Sequence, residues 1–217
     1  MSISTRLWQE SGDLAAVALS HRFVRGLADG SLPRESFAAY VAQDAYFLET
    51  FARAYALALA RSPDRVSLEA FADLLGGVMD ELQLHSSYAY ELGIDLTATE
   101  PSAATLAYTD FLLATTARGG IGLTCAAMTP CMRLYAHLGT SLAPPAENDY
   151  AQWILTYADP AFEQLARALE DLLDLHAPDL ESVRATYRRA VELEVAFFDA
   201  TLHAAETRDE TISRLAR

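Results

Sequence analysis

Phe37-Ala-Ala-Tyr-Val-Ala-Gln-Asp-Ala-Tyr-Phe-Leu-Glu-Thr-Phe51 sets Phe37, Tyr40, Val41, Asp44, Phe47, Leu48 and Phe51 at intervals of three and four residues. That spacing gathers all seven on one face of an α-helix, whereas a strand would scatter them over two. A face so apolar belongs against a core, and its only charge is Asp44. A carboxylate there must find hydrogen-bond donors or hold a raised pKa, because burial disfavours its charged form.

The same period recurs outward from this helix. Upstream, apolar residues keep helical spacing from Asp13 to Ala28, and Ala28-Asp-Gly-Ser-Leu-Pro-Arg-Glu35 turns and restarts a helix at Pro33. Downstream, Ser62-Pro63-Asp64 breaks the pattern and a helix runs to about Leu92, with Gly93 as its C-cap. Thr105 to Arg118 is helical, with Ala104, Tyr108, Phe111, Leu112 and Thr115 on one face. A further helix opens after Gly119-Gly120. Leu142-Ala-Pro-Pro-Ala-Glu147 forms a rigid turn, Asn148 or Asp149 caps a short helix Tyr150 to Tyr157, and Ala158-Asp-Pro160 starts another to about Leu175. Asp179 caps the last helix, whose inward stripe is Tyr187, Val191, Glu194, Val195, Phe198 and Leu202. No stretch alternates with strand period and no repeat of fixed length occurs. The expected fold is therefore all-α, one domain over 1–217 with about eight to ten helices, and a polar tail that frays over 206–217.

A net charge of −14 argues against binding nucleic acid through its phosphates. All sixteen basic residues are arginines, which rules out a lysine Schiff base and with it pyridoxal phosphate attachment. No glycine-rich phosphate loop, signal-peptide run or membrane-length apolar stretch appears. Cys125 and Cys131 fall on different faces of one helix, too poorly oriented to bridge, so reduced thiols and a cytoplasmic setting are expected.

In Met128-Thr-Pro-Cys-Met-Arg-Leu-Tyr135, Cys131 and Tyr135 share the inward face while Arg133 points away, and Pro130 predicts a kink just before the thiol. Alone, Cys131 reads as a small buried hydrophobe. Asp44, Cys131 and Glu194 are nevertheless three reactive groups on inward faces, with Tyr108 and Tyr135 to accompany them. A shared pocket between helices explains them economically, and a purely structural hydrogen-bond network would look the same. A thiol, acids and phenols suit nucleophilic catalysis with proton shuttling and without metal or cofactor. Glu81 and His85, four apart, read either as a metal-binding pair or as a solvated or ion-paired surface couple.

Taken together, His21-Arg-Phe, Asp29-Gly-Ser-Leu-Pro, Phe37 to Asp44, Glu81-Leu-Gln-Leu-His85, Glu91-Leu-Gly-Ile94, Thr105-Leu-Ala-Tyr108-Thr, Thr129-Pro-Cys131-Met-Arg-Leu-Tyr135, Tyr150-Ala-Gln-Trp-Ile-Leu-Thr-Tyr157 and Glu194-Val-Ala-Phe-Phe198 resemble the TenA, or thiaminase II, family of the haem-oxygenase-like fold. Each motif is weak and their order over nearly the whole chain is specific. The Tyr108 to Cys131 interval fits the cysteine-containing branch.

The resemblance implies hydrolysis of aminopyrimidines related to thiamin, releasing 4-amino-5-hydroxymethyl-2-methylpyrimidine from its aminomethyl precursor, with no cofactor. It implies Cys131 as nucleophile, Glu194 as general acid and base, Asp44 as anchor for the pyrimidine and Tyr108 beside the thiol and acid. Tyr135 and Tyr157 would line the pocket, with Phe47, Phe23 and Phe198 as aromatic walls, and the molecule would be a homotetramer. Two departures bear on substrate choice: Phe197-Phe198 stands for the family's common Phe-Trp, and Phe47 where tyrosine is frequent. Competing classes are a non-haem di-iron oxidase on the same fold, using Glu81/His85 and Asp199/His203, and a catalytically silent pyrimidine-binding or regulatory protein.

Overall fold

The computed structural model describes residues 1–143 and 148–215, with side chains through 202. They form ten α-helices and one short 3₁₀ helix (Leu96–Ala98) with their connections, and among the described residues there is no strand. The opening stripe lies on α4 (Arg34–Ala60), preceded by α1 (Ile3–Glu10), α2 (Gly12–Ser20) and α3 (Arg22–Asp29). There follow α5 (Arg65–Leu92), α6 (Ala103–Arg118), α7 (Ile121–Ser141), α8 (Ala151–Ala158), α9 (Pro160–His176) and α10 (Glu181–Leu215). Helix α10 continues through most of the expected tail, whose side chains lie outside the described residues, as does most of the expected turn at 142–147.

Local chemistry sets the boundaries. Asp64 Oδ1 accepts from Ser67 N–H at 2.8 Å to start α5, and Gly93, at φ +70°, ends it. Asp159 caps α9 with Pro160 in its first turn. Where the periodicity suggested one helix from Asp13 to Ala28, there are two. His21 adopts an extended conformation, and its Nδ1 accepts from Phe23 N–H, so the side chain that interrupts the helix also caps its successor. Asp179, expected to cap α10, is instead engaged by Arg6 and Arg184.

Helices α4 and α5, joined by the four residues 61–64, pack as antiparallel neighbours, and α4 also meets α6 and α10. The central element is α7, packed by α6, α8, α9 and α10. Every residue from Thr124 to Met132 is buried, so α7 is apolar nearly all round and not merely on one face. Pro130 is carried inside this unbroken helix. Arg133 does point away from the thiol, donating to both oxygens of Glu170 and to Glu163 at 2.7 Å each and so tying α7 to α9.

Gly139 decides how closely α8 approaches. A Cβ there would lie 2.3 Å from the Tyr157 carbonyl carbon, a backbone atom that cannot swing aside. Gly139→Ala is therefore expected to cost about 1–3 kcal/mol or more and to displace Tyr157, read as a lower Tm together with altered near-UV circular dichroism.

Candidate active site

Asp44, at mid-length on α4, is 4 % exposed. Its Oδ2 accepts from Tyr40 OH at 2.9 Å and lies 2.7 Å from His85 Nε2 on α5. His85 Nδ1 lies 3.0 Å from the Glu81 carbonyl oxygen, which can only accept. Both ring nitrogens thus face acceptors, the arrangement of an imidazolium. Burial pulls the His85 pKa down, but the hydrogen bond and charge of Asp44 outweigh it and push it up to about 9. Trp153 Nε1 donates to Tyr40 at 3.2 Å, and the Tyr40 and Tyr135 hydroxyls are 3.3 Å apart. Because Oδ2 takes both partners, Asp44 Oδ1 has no hydrogen bond among the described residues, on a cavity that Asp44 lines.

Cys131 lines the same cavity. Tyr108 OH, from α6, donates to Glu194 Oε1 on α10 at 2.8 Å, and the Cys131 thiol lies against the same carboxyl, close enough for each to perturb the other. Burial pushes Glu194 up to about 8, against the opposing pull of Tyr108 and Cys131. Burial, then the charges of Glu194, Glu81 and Asp44, hold the thiol far above its usual pKa. A third acid, Glu81, accepts from Tyr157 OH at 2.5 Å, and burial raises it to about 7.

The cavity between them is a narrow cleft of about 10 Å³, room for about one water. Asp44, Glu81, Cys131, Tyr135 and Tyr157 supply its polar wall, and Phe47, Leu48, Phe51, Met132 and Phe162 its apolar one. Phe47 tilts over Tyr108 at 4.6 Å between ring centroids, and Tyr135 meets Tyr157 edge-on at 4.7 Å. Phe23 and Phe198 are placed differently from expectation. They stack on each other at 5.4 Å behind Tyr40 and Tyr135 and are not among the residues lining the cavity. As apolar neighbours of the polar cluster they buttress its tyrosines. Tyr108 and Glu194 likewise stand behind the lining, against the thiol.

The surface-couple reading of Glu81 and His85 is corrected: His85 is 1 % exposed and its partner is Asp44 on another helix. Tyr40 and Trp153, to which the sequence assigned no site role, complete the same network. Of the second pair required by a di-iron centre, Asp199 is taken by His21 at 2.9 Å, and the His203 side chain lies outside the described residues.

Comparison with known proteins supplies the family. The model of the TENA/THI-4/PQQC family matches residues 8–204. The chain belongs to that family. Among its relatives, an aminopyrimidine aminohydrolase of Halalkalibacterium halodurans is 35 % identical over 190 residues, covering 84 % of this chain and 85 % of the relative. A TenA family transcription regulator from Silicibacter sp. TM1040 superposes with a TM-score of 0.85 at 32 % identity, covering 91 % of this chain and 95 % of that one. A Shewanella denitrificans domain with a heme oxygenase-like fold has a TM-score of 0.75 at 15 % identity, covering 94 % of both chains, which extends the likeness to that fold. The chain spans only 36 % of the length of a bifunctional plant relative that it matches at 33 % identity.

The three raised acid and imidazole values carry a consequence for this TenA-family fold. Glu194 titrates near 4.5 when unfolded and near 8 when folded, so the folded state binds more protons between those values. The stability this contributes is full below pH 4.5 and lost as pH rises through 8. Glu81, near 7, and His85, raised from 6.5 to about 9, act in the same direction. Tm is expected to fall from pH 6 to pH 9, and Glu194→Gln to flatten that slope, as calorimetry across the range will read.

Proposed function

We propose that the chain hydrolyses 4-amino-5-aminomethyl-2-methylpyrimidine, and related aminopyrimidines including thiamin, to the 5-hydroxymethyl compound. The observation that carries this reading is a thiol backed by a buried carboxyl, lining one cavity with a carboxylate that has an open oxygen. The printed name of the Halalkalibacterium relative, an aminopyrimidine aminohydrolase, supports it.

In this reading Asp44 anchors the pyrimidine. Its Oδ1 accepts from the ring's amino group, while His85 and Tyr40 fix the carboxylate from behind. Glu194 takes the thiol proton, and the Cys131 sulfur forms a bond to an electron-poor ring carbon. Ring electrons then expel the amine from the exocyclic methylene as Glu194 returns a proton to it. Water adds its oxygen to the methylene carbon and a proton to Glu194, the carbon–sulfur bond breaks, and the proton returns to sulfur. One carboxyl is thus acid and base in turn, which a pKa near 8 suits. Tyr108 holds that carboxyl against the thiol. Tyr135, Tyr157 and Phe47 frame the ring, and Phe23 and Phe198 support the frame.

No described helix is long and apolar enough to cross a membrane. The two free cysteines accord with a cytoplasmic enzyme, and exposed Leu57, Val66, Leu68 and Leu106 offer apolar surface for a homotetramer. The deciding measurement is ammonia release from the aminomethylpyrimidine by metal-free wild type, Cys131→Ser and Glu194→Gln. An inactive wild type, or variants as fast as wild type, would overturn the reading.

A further inference from the structure

A second, larger cavity of about 440 Å³ adjoins the first, walled by α5, α7, α8 and α9. Glu81, Met132 and Phe162 line both, so the two meet at these three side chains. Leu155, 57 % exposed, stands in the outer wall and marks the side that opens to solvent. The charged residues along the outer cavity are Asp80, Glu81 and Asp159, and neither lining contains an arginine or a histidine. At the junction, Tyr157 binds Glu81 Oε1, while Oε2 has no hydrogen bond among the described residues.

We propose that the outer cavity is the path by which substrate reaches Cys131, and that Glu81 at its inner end captures substrates bearing a protonated amine in preference to neutral, acylated ones. The proposal rests on the aminohydrolase reading and adds to it the charge state of the substrate that is taken up. A primary aminomethyl group is cationic near neutral pH, whereas its N-formyl derivative is an uncharged amide. A cation entering a throat flanked by Met132 and Phe162 sheds water, and that loss must be matched by a carboxylate placed where the water is stripped. Glu81 is the acid so placed, and Tyr157 fixes its orientation. The low local dielectric strengthens the attraction there and equally repels anions. Capture at the throat precedes the chemistry at Cys131, where the amine has given its extra proton back to solvent and receives one from Glu194 on leaving, so capture is read in kcat/KM.

The test compares the aminomethylpyrimidine with its N-formyl analogue. Binding is measured by calorimetry in the full chain carrying Cys131→Ser, with and without Glu81→Gln, and turnover of the amine in wild type and Glu81→Gln. The expected result is about a tenfold weaker Kd for the amine, the scale of one hydrogen bond to a charged group, with the formyl compound unchanged within twofold. For turnover, kcat/KM for the amine falls by a similar factor. Glu81→Asp, which keeps the charge, retains the preference for the amine. Equal loss for both ligands, no loss for either, or a Glu81→Asp variant that behaves like Glu81→Gln would overturn the proposal. If wild type hydrolyses neither compound the aminohydrolase reading falls, while the two binding ratios still decide Glu81.

Discussion

Cys131→Ser is expected to lower the rate of ammonia release from the aminomethylpyrimidine by about 10³-fold or more, the scale on which loss of a nucleophile and its proton acceptor is felt. Serine nearly preserves the volume of the side chain in a position that is 8 % exposed, so the packing of α7 has no reason to change. The chemistry changes because an alcohol holds its proton far more tightly than a thiol. Glu194, at about 8, is a strong enough base to share a proton with sulfur and too weak to take one from a hydroxyl. Glu194→Gln should fall to a similar level for the converse reason: the thiol remains, held protonated by burial, with no acceptor beside it. Because the two act as a unit, the double variant should be no slower than the worse single one. Ligand affinity should survive in Cys131→Ser within about threefold, since the open oxygen of Asp44 is untouched. Steady-state ammonia assays with calorimetric binding separate these outcomes, and a Cys131→Ser enzyme within tenfold of wild type would remove the thiol from the reaction.

How far the sequence disclosed this site depends on whether a residue's partner is local. The stripe on α4 was legible because spacing alone dictates which residues share a helix face, and Asp44 announced itself as the one charge on it. Cys131 and Glu194 emerged by the same contrast with their apolar neighbours. The identical test applied to α5 would have found His85. Phe71, Leu74, Val78, His85 and Ala89 fall on one buried face at helical spacing, with Glu81 filling the gap between Val78 and His85. The i, i+4 relation of Glu81 to His85 instead suggested that each was the other's partner. Their partners come from other helices, Asp44 on α4 and Tyr157 on α8, and such pairings are fixed by packing that no local window contains. Tyr40 and Trp153 escaped for a related reason: an aromatic body fits a core whether or not its polar tip is used. Phe23 and Phe198 show the reverse, since an inward-facing aromatic near a site can line it or stand behind it, and spacing does not distinguish the two.

Asp44→Asn should be the most damaging single change to the fold and to binding at once, and the two losses can be separated. In wild type the carboxylate neutralises a buried imidazolium, and removing one partner of such a pair costs about 3–5 kcal/mol because the other charge is stranded. His85 has nowhere else to turn, with Nδ1 held by the Glu81 carbonyl and the ring 1 % exposed. Its pKa, about 9 when Asp44 is ionised, must drop once that charge is gone, since burial alone pulls it down. The stability deficit of Asp44→Asn should therefore be largest at pH 5–6, where the stranded histidine is forced to carry its proton, and should shrink toward pH 9. Adding His85→Gln removes that stranded charge and should restore part of the Tm. Affinity for the aminopyrimidine should not return with it, because the charged acceptor that holds the ring is still missing. Thermal unfolding across pH, paired with calorimetric titration of single and double variants, reads both quantities. Recovery of affinity alongside stability would show that Asp44 serves the fold alone, and loss of affinity at restored stability would assign it to the substrate.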